Sequence, residues 1–328
     1  MGAFQQLNIS ILHLDWMFFL LPMPFFVGML LDALAWKTLL PRTPGLKLSS
    51  LFGPHIGAEA VLLSIPGGFA MADAIKIFLL KRRTNVQTGT VMASLIMRHW
   101  MLGMTQLLFI TGGCLLGGFL THEYFQTDHS NDQTLIGAIG ILISISVLLG
   151  IIVRQLVRGT LARTLWKLLY RIKIASLRTR LKSAASSCKQ LDIHFAEAAK
   201  HEKLSLAAVF GMYLIHWFMD VGESLLVAHA LGIPISFVNI LFTEAILSAV
   251  RLGVFFLPNG AIVKDLGYVA IFASLHLPVS AVQVAGFVLL KRIISIVCIG
   301  IGYTALVSQG FRWNDRKLLS LETVLEHR

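Results

Sequence analysis

Long, uninterrupted apolar runs dominate the hydrophobic pattern of this chain. They cover residues 16–40, 90–120, 134–153, 204–231 and 279–308. Each run is long enough to cross about 30 Å of hydrocarbon, which takes roughly 20 helical residues. The runs are continuous, whereas the strands of a membrane barrel alternate polar and apolar residues. The pattern therefore predicts an all-α polytopic integral membrane protein, with the first run kept as a transmembrane helix.

Two further apolar stretches, residues 51–80 and 237–275, are each broken near the middle. The breaks are Pro66-Gly67-Gly68 and Pro258-Asn259-Gly260. The arm from Phe69 to Leu80 would reach only about 18 Å as a helix. Irregular backbone at membrane depth is tolerated only where protein shields it or where it lines a wet cavity. We therefore expect two broken re-entrant hairpins, each made of two half-helices.

Composition and charge narrow the class further. Hydrophobic residues make up 56% of the chain and charged residues only 14%, against roughly 25% charged in an average soluble domain. The formal charge of +11 comes largely from a basic stretch at residues 154–203. No nucleic-acid-reading module accompanies this stretch, so we expect no nucleic-acid partner. Apolar residues recur in it at helical spacing, which predicts a cytoplasmic amphipathic segment that contacts anionic lipid headgroups.

Basic residues also orient the chain, because short basic connections stay on the cytoplasmic side. Residues 1–13 contain no Lys or Arg, whereas Lys37, Arg42 and Lys47 follow the first run. The connection at 121–133 holds acidic residues but no Lys or Arg. We therefore expect an external N-terminus, an external connection at 121–133 and a cytoplasmic C-terminus.

These orientations divide the chain into four parts. Residues 1–133 form a first repeat, in which hairpin 51–80 enters from the cytoplasmic side between two transmembrane helices. Residues 134–203 hold a connecting transmembrane helix and the basic segment. Residues 204–308 form a second repeat, whose hairpin 237–275 enters from the external side, and residues 309–328 form a cytoplasmic tail. The predicted fold is an inverted-topology repeat of helix, broken re-entrant hairpin and helix.

The spacing of charged residues supports the repeat. Asp73 and Asp265 each lie seven positions after the proline of their hairpin. Arg98 and Arg292 follow these aspartates at 25 and 27 positions. Because the matches fall at corresponding places, we interpret Arg98 and Arg292 as equivalent residues of the two repeats.

Charged residues at membrane depth are the candidate site, because each is costly to insert and such groups mark pathways. We expect a headgroup and translocation cavity formed by Glu59, Asp73, Lys76, Arg98, Glu244, Arg251, Asp265 and Arg292. Half-helix amino termini attract anions, and arginine grips phosphate bidentately. The alternative for any single residue is simple pairing between helices.

The sequence gives little support for a metal site, a cofactor or a catalytic residue. His216, Asp220 and Glu223 share one helix face and could hold a metal, but no second such motif accompanies them and we favour hydrogen-bonded packing. The three cysteines are widely spaced, so we expect no disulfide and no metal cluster. We also expect no cofactor and no catalytic residue.

Several segments together resemble the lysylphosphatidylglycerol synthase transmembrane-region (flippase-like) family, most closely its hopanoid-biosynthesis-associated branch. These segments are Asp32–Trp36, Ile65–Gly68, Asp73–Lys76, Glu244, Arg251–Pro258 and Lys291-Arg292. The resemblance spans about residues 15–305 and implies a lipid-handling protein of the bacterial cytoplasmic membrane, without the soluble aminoacyl-transferase domain. The family usually has Glu where this chain has Asp73 and Asp265, Gly where it has Asn259, and often an acidic residue where it has Met97.

The expected function is that of a lipid translocase (flippase-like) or lipid-transport factor, not of an enzyme. It would move a polar, anionic lipid across or out of the cytoplasmic membrane. Phospholipid, polyprenyl-phosphate-linked lipid and hopanoid are the candidate lipids, and a homo-oligomer is an open alternative. Two other functions stay open. A membrane-embedded transferase acting on a lipid carrier would need a donor site, and a scaffold for lipid-synthesis enzymes would use its buried charges only for folding.

Overall fold

The computed structural model describes residues 17–40, 46–65, 67–84, 86–120, 203–253, 261–274 and 279–311. Within these ranges all regular secondary structure is helical. The predicted helix at 134–153, the external connection, the basic segment up to residue 202 and the C-terminal tail from residue 312 lie outside the described residues. So do Pro66, Pro258, Asn259 and Gly260 of the two breaks.

Among the described residues, each half of the chain contributes four long helices in the same order. After a helical turn at Met17–Leu20, the first half contains α1 (Met23–Leu39), α2 (Leu48–Ser64), α3 (Phe69–Arg83) and α4 (Thr88–Leu120). The second half contains α5 (Lys203–Ala230), α6 (Phe237–Gly253), α7 (Ala261–Ser274) and α8 (Ala281–Ser308). The second helix of each half has 17 residues, and the third has 15 in one half and 14 in the other.

The two predicted hairpins correspond to α2 with α3 and to α6 with α7. The arm α3 extends to Arg83, three residues beyond the expected end, so it reaches about 22 Å at 1.5 Å per residue. Gly67, in the turn between α2 and α3, has φ +64°, a backbone conformation that glycine adopts without steric strain. Whether either hairpin is re-entrant in the membrane stays a prediction.

Two helices among the described residues are long and apolar enough to cross a membrane. They are Thr88–Gly117 within α4 and Ala281–Ser308, which is α8, and they occupy the same fourth position in their halves. On α8, Leu289, Ile293 and Ile296 are exposed and share one face at helical spacing. This face suits contact with lipid chains.

The helices pack in a pattern that repeats between the halves. The first helices, α1 and α5, pack against each other. The second helix of each half packs against the fourth helix of the other half, as α2 with α8 and α6 with α4. Within each half the second and third helices, and the third and fourth, are also neighbours. One contact breaks the pattern, because α4 packs closely on α5 whereas α8 and α1 have no comparable contact.

Matching glycines allow the two close crossings between the halves. A Cβ atom on Gly302 of α8 would lie 2.5 Å from the Cβ of Ala60 on α2. A Cβ atom on Gly113 of α4 would lie 2.6 Å from the Cβ of Ala245 on α6. Small residues at such positions let helix backbones approach closely in membranes. The crossing is therefore built in the same way twice.

Candidate functional site

The first and fourth helices of each half are joined by a buried ion pair. In the first half the guanidinium of Arg98 binds the carboxylate of Asp32 through two nitrogens, with Nε donating to Oδ1 at 2.8 Å. In the second half Nζ of Lys291 lies 2.8 Å from Oε1 of Glu223. All four side chains are nearly excluded from the surface. Arg98 and Lys291 therefore occupy corresponding places.

The second and third helices of each half are joined by a glutamate and a lysine. Nζ of Lys76 lies 4.0 Å from Oε2 of Glu59, and Nζ of Lys264 lies 3.4 Å from Oε2 of Glu244. Glu59 and Glu244 directly precede the alanines that contact the crossing glycines. The two pairs therefore lie at the same level of their hairpins.

The third and fourth helices of each half are joined by the aspartate that follows the hairpin proline. Asp265 pairs with Arg292, whereas Oδ2 of Asp73 lies 3.7 Å from Nε2 of His99. These are the most exposed of the three pairs in each half, at 22–24% for Asp73 and His99 and 30–33% for Asp265 and Arg292. His99, rather than Arg98, is thus the counterpart of Arg292.

Below, the first-half cluster means Asp32, His55, Glu59, Asp73, Lys76, Arg98 and His99. The second-half cluster means Asp220, Glu223, Glu244, Arg251, Lys264, Asp265, Lys291 and Arg292. The structure brings all eight sequence-predicted cavity residues into these two clusters. It divides them between the halves, and each predicted acid of the two sets has a basic neighbour.

Glu244 is the centre of the second-half cluster. Its Oε1 accepts hydrogen bonds from the hydroxyls of Ser224 and, at 2.5 Å, of Tyr268. Nζ of Lys291 lies 3.9 Å from the same oxygen. Buried carboxylates need such partners because an unpaired charge in an apolar interior is strongly unfavourable. The acid is therefore held in one position by neutral donors and lysines together.

A small cavity opens beside this centre, between the end of α6 and the start of α7. It is lined by Leu247, Ser248, Arg251, Val263 and Lys264. The guanidinium carbon of Arg251 lies 5.3 Å from the centre of the Trp217 ring, within the range of a cation–π contact. Nζ of Lys264 also lies 4.0 Å from Oδ2 of Asp220. Two cationic side chains thus face one cavity between the two helices of the second hairpin.

With this geometry established, comparison with known proteins gives the family. The family model described as lysylphosphatidylglycerol synthase TM region matches residues 3–302. The chain belongs to this family. As a member it is a helical membrane protein of lipid metabolism or transport. No curated protein and no solved structure matches the chain.

Membership of the lysylphosphatidylglycerol synthase TM-region family confirms the family that the sequence motifs indicated. The hopanoid-associated branch stays a prediction. So do the cytoplasmic membrane and the orientation of the two termini.

Of the two hairpin breaks in this family member, the described residues include only Gly67 and Gly68 of the first. Gly67 is exposed and Gly68 is buried. A Cβ atom on Gly68 would lie 2.7 Å from the carbonyl oxygen of Val61 and 2.9 Å from that of Ile65. Gly68 therefore lets α3 begin directly against the end of α2.

The residues weighed as a metal site have separate partners in the structure. Nδ1 of His216 lies 3.0 Å from the carbonyl oxygen of Gly28, while Asp220 and Glu223 face Lys264 and Lys291 respectively. Within the described parts of the chain, no group of three or more His, Cys, Asp or Glu residues is arranged to hold a metal.

Sequence reasoning left several members of the clusters out of the site. Asp32, His55, Glu223, Ser224 and Tyr268 are buried and lie in or against the clusters. Asp32 stood out in the sequence as the one charged residue between residues 16 and 36 of an otherwise apolar run. That signal alone would have identified it, because a carboxylate in such a run requires a partner.

Proposed function

We propose that the protein moves a polar, anionic lipid across or out of the bacterial cytoplasmic membrane, as a lipid translocase or lipid-transport factor rather than as an enzyme. The observation that carries the proposal is the cavity at the second hairpin, which is lined by the cationic side chains of Arg251 and Lys264. The family places the protein in lipid metabolism or transport. We propose that the two cations at this small cavity attract an anionic headgroup.

Arg251 is suited to bind such a headgroup. Among the residues that the structure describes, Arg251 forms no ion pair within 4.0 Å, although its guanidinium packs on Trp217. A guanidinium presents five N–H donors in a planar fork that matches the oxygens of a phosphate. Arg251 therefore has donors free for a ligand in the described part of the site.

Lys264 and the start of α7 add to this attraction. Lys264 is the fourth residue of α7, so its side chain comes from the first turn of the helix. The amino-terminal turns of helices carry unpaired amides and a partial positive charge that favour anions. We propose that the headgroup sits at this turn, while the acyl chains stay against the apolar faces of α6 and α7.

The two clusters supply a path for the headgroup between the hairpins. The two clusters together contain fifteen ionisable side chains. Buried ion pairs contribute little net stability, so holding the helices together does not account for so many of them. In inverted-repeat transporters, sites near the midplane are formed by broken helices of the two repeats. We propose the same arrangement here, with hairpins that open toward opposite faces of the membrane.

The test is lipid movement by the purified full chain in phosphatidylethanolamine vesicles that contain a fluorescent phosphatidylglycerol. The wild-type protein should accelerate the quenching of label that starts in the inner leaflet, because an impermeant quencher reaches that label only after it crosses the membrane. Arg251→Gln should weaken headgroup binding about tenfold or more, because one charge-assisted hydrogen bond is worth about 1.5 to 3 kcal/mol. The apparent affinity should fall while the melting temperature stays near the wild-type value.

The matched control is Arg82→Gln. Arg82 is exposed, and its Nη1 lies 3.4 Å from the carbonyl oxygen of Gly310 at the end of α8. This variant should move lipid like the wild type. Equal lipid movement by Arg251→Gln and Arg82→Gln would contradict the headgroup site, and no movement by any of the folded proteins would contradict the translocase function.

A further inference from the structure

The first-half cluster has one positive charge fewer than the matching pairs of the second half. The three pairs of the second half join Glu223, Glu244 and Asp265 to Lys291, Lys264 and Arg292. The first-half pairs join Asp32 and Glu59 to Arg98 and Lys76, but join Asp73 to a histidine. With His99 neutral, the carboxylate of Asp73 is the one acid of this cluster without its own permanent cation.

The hydrogen bonds of His99 define which nitrogen is open to a proton. Nδ1 lies 2.7 Å from the carbonyl oxygen of Leu95, which only accepts, so Nδ1 carries the hydrogen. Nε2 then accepts from Nη1 of Arg98 at 3.3 Å and lies 3.7 Å from Oδ2 of Asp73. A proton shared between Nε2 and Oδ2 would join the two side chains directly, in the place where Arg292 joins Asp265.

In the described part of the chain, charged side chains from four helices surround this pair. Lys76 faces it from α3, Asp32 and Arg98 from α1 and α4, and Glu59 from α2. The ring of Phe69 lies 4.4 Å from the His99 ring. Of the other helices packed on α4, α5 places the buried Tyr213 beside Arg98 and Asp32, and Trp217 donates to Thr105 further along. From α6 the Ser248 carbonyl accepts a hydrogen bond from Gln106.

His55 is a weaker candidate for the proton. Its Nε2 lies 3.3 Å from Oδ2 of Asp32, but the negative charge of Asp32 is already matched by Arg98. His55 is also fully buried, whereas Asp73 and His99 are each more than one-fifth exposed. Of these two pairs, only Asp73 with His99 combines an unmatched charge with access from outside the cluster.

We propose that Asp73 and His99 form a proton-binding site, in which one proton supplies the positive charge that Arg292 carries permanently in the other half, and that lipid movement is coupled to this proton. The coupling rests on the proposed function, whereas the binding site does not. Binding adds H⁺ to the Nε2 and Oδ2 pair, and release returns it to water at the exposed edge. Arg98 turns its Nη1 away from Nε2 when the proton arrives.

Proton counting on the purified full chain tests the site. Between about pH 5 and pH 9, where imidazole and perturbed carboxyl groups titrate, the wild type should bind about one proton more than Asp73→Asn. Asp265→Asn is the matched control from the second half and should bind as many protons as the wild type, because Arg292 already balances Asp265. Equal proton binding by the wild type and Asp73→Asn would overturn the proposal.

A second variant keeps the test decisive where Asp73→Asn fails to fold. His99→Arg gives the first half the permanent cation of the second and leaves Asp73 in place. It should melt at or above the wild-type temperature and lose the same proton. Retention of wild-type proton binding by folded His99→Arg would also overturn the site.

The coupling is measured in the same vesicles, with fluorescent phosphatidylglycerol and an imposed pH gradient. The wild-type rate should change with the gradient by at least about fivefold, the lower range of coupling between sites in proteins, and the rate of His99→Arg should not respond. A wild-type rate that ignores the gradient would overturn the coupling. If the wild type moves no lipid at all, the translocase function fails while proton counting still decides the site.

Discussion

The two charged clusters are built on the same three helix-to-helix pairs, yet they differ in how their charge is matched. The second-half cluster has four acids and four permanent cations, Arg251, Lys264, Lys291 and Arg292. The first-half cluster has three acids but only two permanent cations, Lys76 and Arg98, with histidines beside them. The two halves therefore share the same arrangement of helix pairs but differ in how the charges of their acids are balanced.

We propose from this difference that the two halves have separate tasks. The second-half cluster is charge-matched without any proton, and it opens to a cavity where Arg251 has donors available. In the first-half cluster Arg98 and Asp32 form a buried ion pair. Asp73, the acid without a permanent cation, lies with His99 at the more exposed edge. We infer that the second half holds the headgroup and that the first half holds the proton.

The largest expected effect concerns the most buried pair. Arg98→Gln should lower the free energy of unfolding by about 3 to 5 kcal/mol, because it leaves the carboxylate of Asp32 buried without its cation. Arg98→Lys should recover part of this loss, since it keeps the charge but not the two-nitrogen contact. Thermal unfolding in detergent measures both.

The corresponding substitution in the more exposed pair should have only a small effect on stability. Arg292→Gln should cost about 1 kcal/mol or less, because the pair with Asp265 is about one-third exposed and exposed ion pairs contribute little. Equal losses for Arg98→Gln and Arg292→Gln would contradict the distinction between the buried pair of Arg98 with Asp32 and the more exposed pair of Arg292 with Asp265.

The next effect compares the two hairpin glutamates. Glu244→Gln should cost about 2 to 3 kcal/mol, because Lys264 and Lys291 lose a charged partner that hydroxyls hold in place. Glu59→Gln should cost less, since only one lysine loses its charged partner and that lysine lies 4.0 Å away. Chemical unfolding followed by tryptophan fluorescence measures the two, and a reversed order would show that the centre of the second cluster has been misassigned.

The two glycine crossings should respond alike. Gly302→Ala and Gly113→Ala should each cost about 1 to 3 kcal/mol by overpacking, because the added methyl group meets Ala60 or Ala245 closer than van der Waals contact. Gly300→Ala is the control, since its Cβ would enter open space. A cost at only one crossing would break the equivalence of the halves.

Orientation in the membrane is the remaining prediction for the repeat. Cysteine at Ser130 should react with an impermeant reagent from outside, and cysteines at Lys182 and Ser320 only from the cytoplasm. Cysteine next to Gly67 should react from the side opposite to cysteine next to Asn259. Reaction of both hairpins from the same side would leave a repeat without inversion.

The sequence predicted the helices well but not their partners. The apolar run 279–308 and the helix Ala281–Ser308 nearly coincide, because continuous hydrophobicity over that length is typical of one membrane-spanning helix. The pairing of Asp32 with Arg98 joins positions 66 apart in the chain. Nothing in local periodicity reveals such a contact, since it depends on how α1 and α4 pack.

The predicted equivalence of Arg98 and Arg292 shows that similar spacing in the sequence does not guarantee corresponding positions in the structure. Both are arginines at nearly equal distance from an aspartate, but neighbouring residues on a helix point about 100° apart. The connection between the third and fourth helices also differs in length, with α3 ending at Arg83 and α4 beginning at Thr88, against Ser274 and Ala281 in the second half. Matching by contact assigns Lys291 to Arg98 and Arg292 to His99.

The division of tasks between the halves is tested most directly by one measurement, lipid movement as a function of the imposed pH gradient for Arg251→Gln and His99→Arg in the same vesicles. Arg251→Gln should move lipid more slowly but keep the wild-type response to the gradient. His99→Arg should lose the response to the gradient. If both folded variants lost rate and gradient response in the same proportion, the two clusters would form a single functional unit and the account would be contradicted.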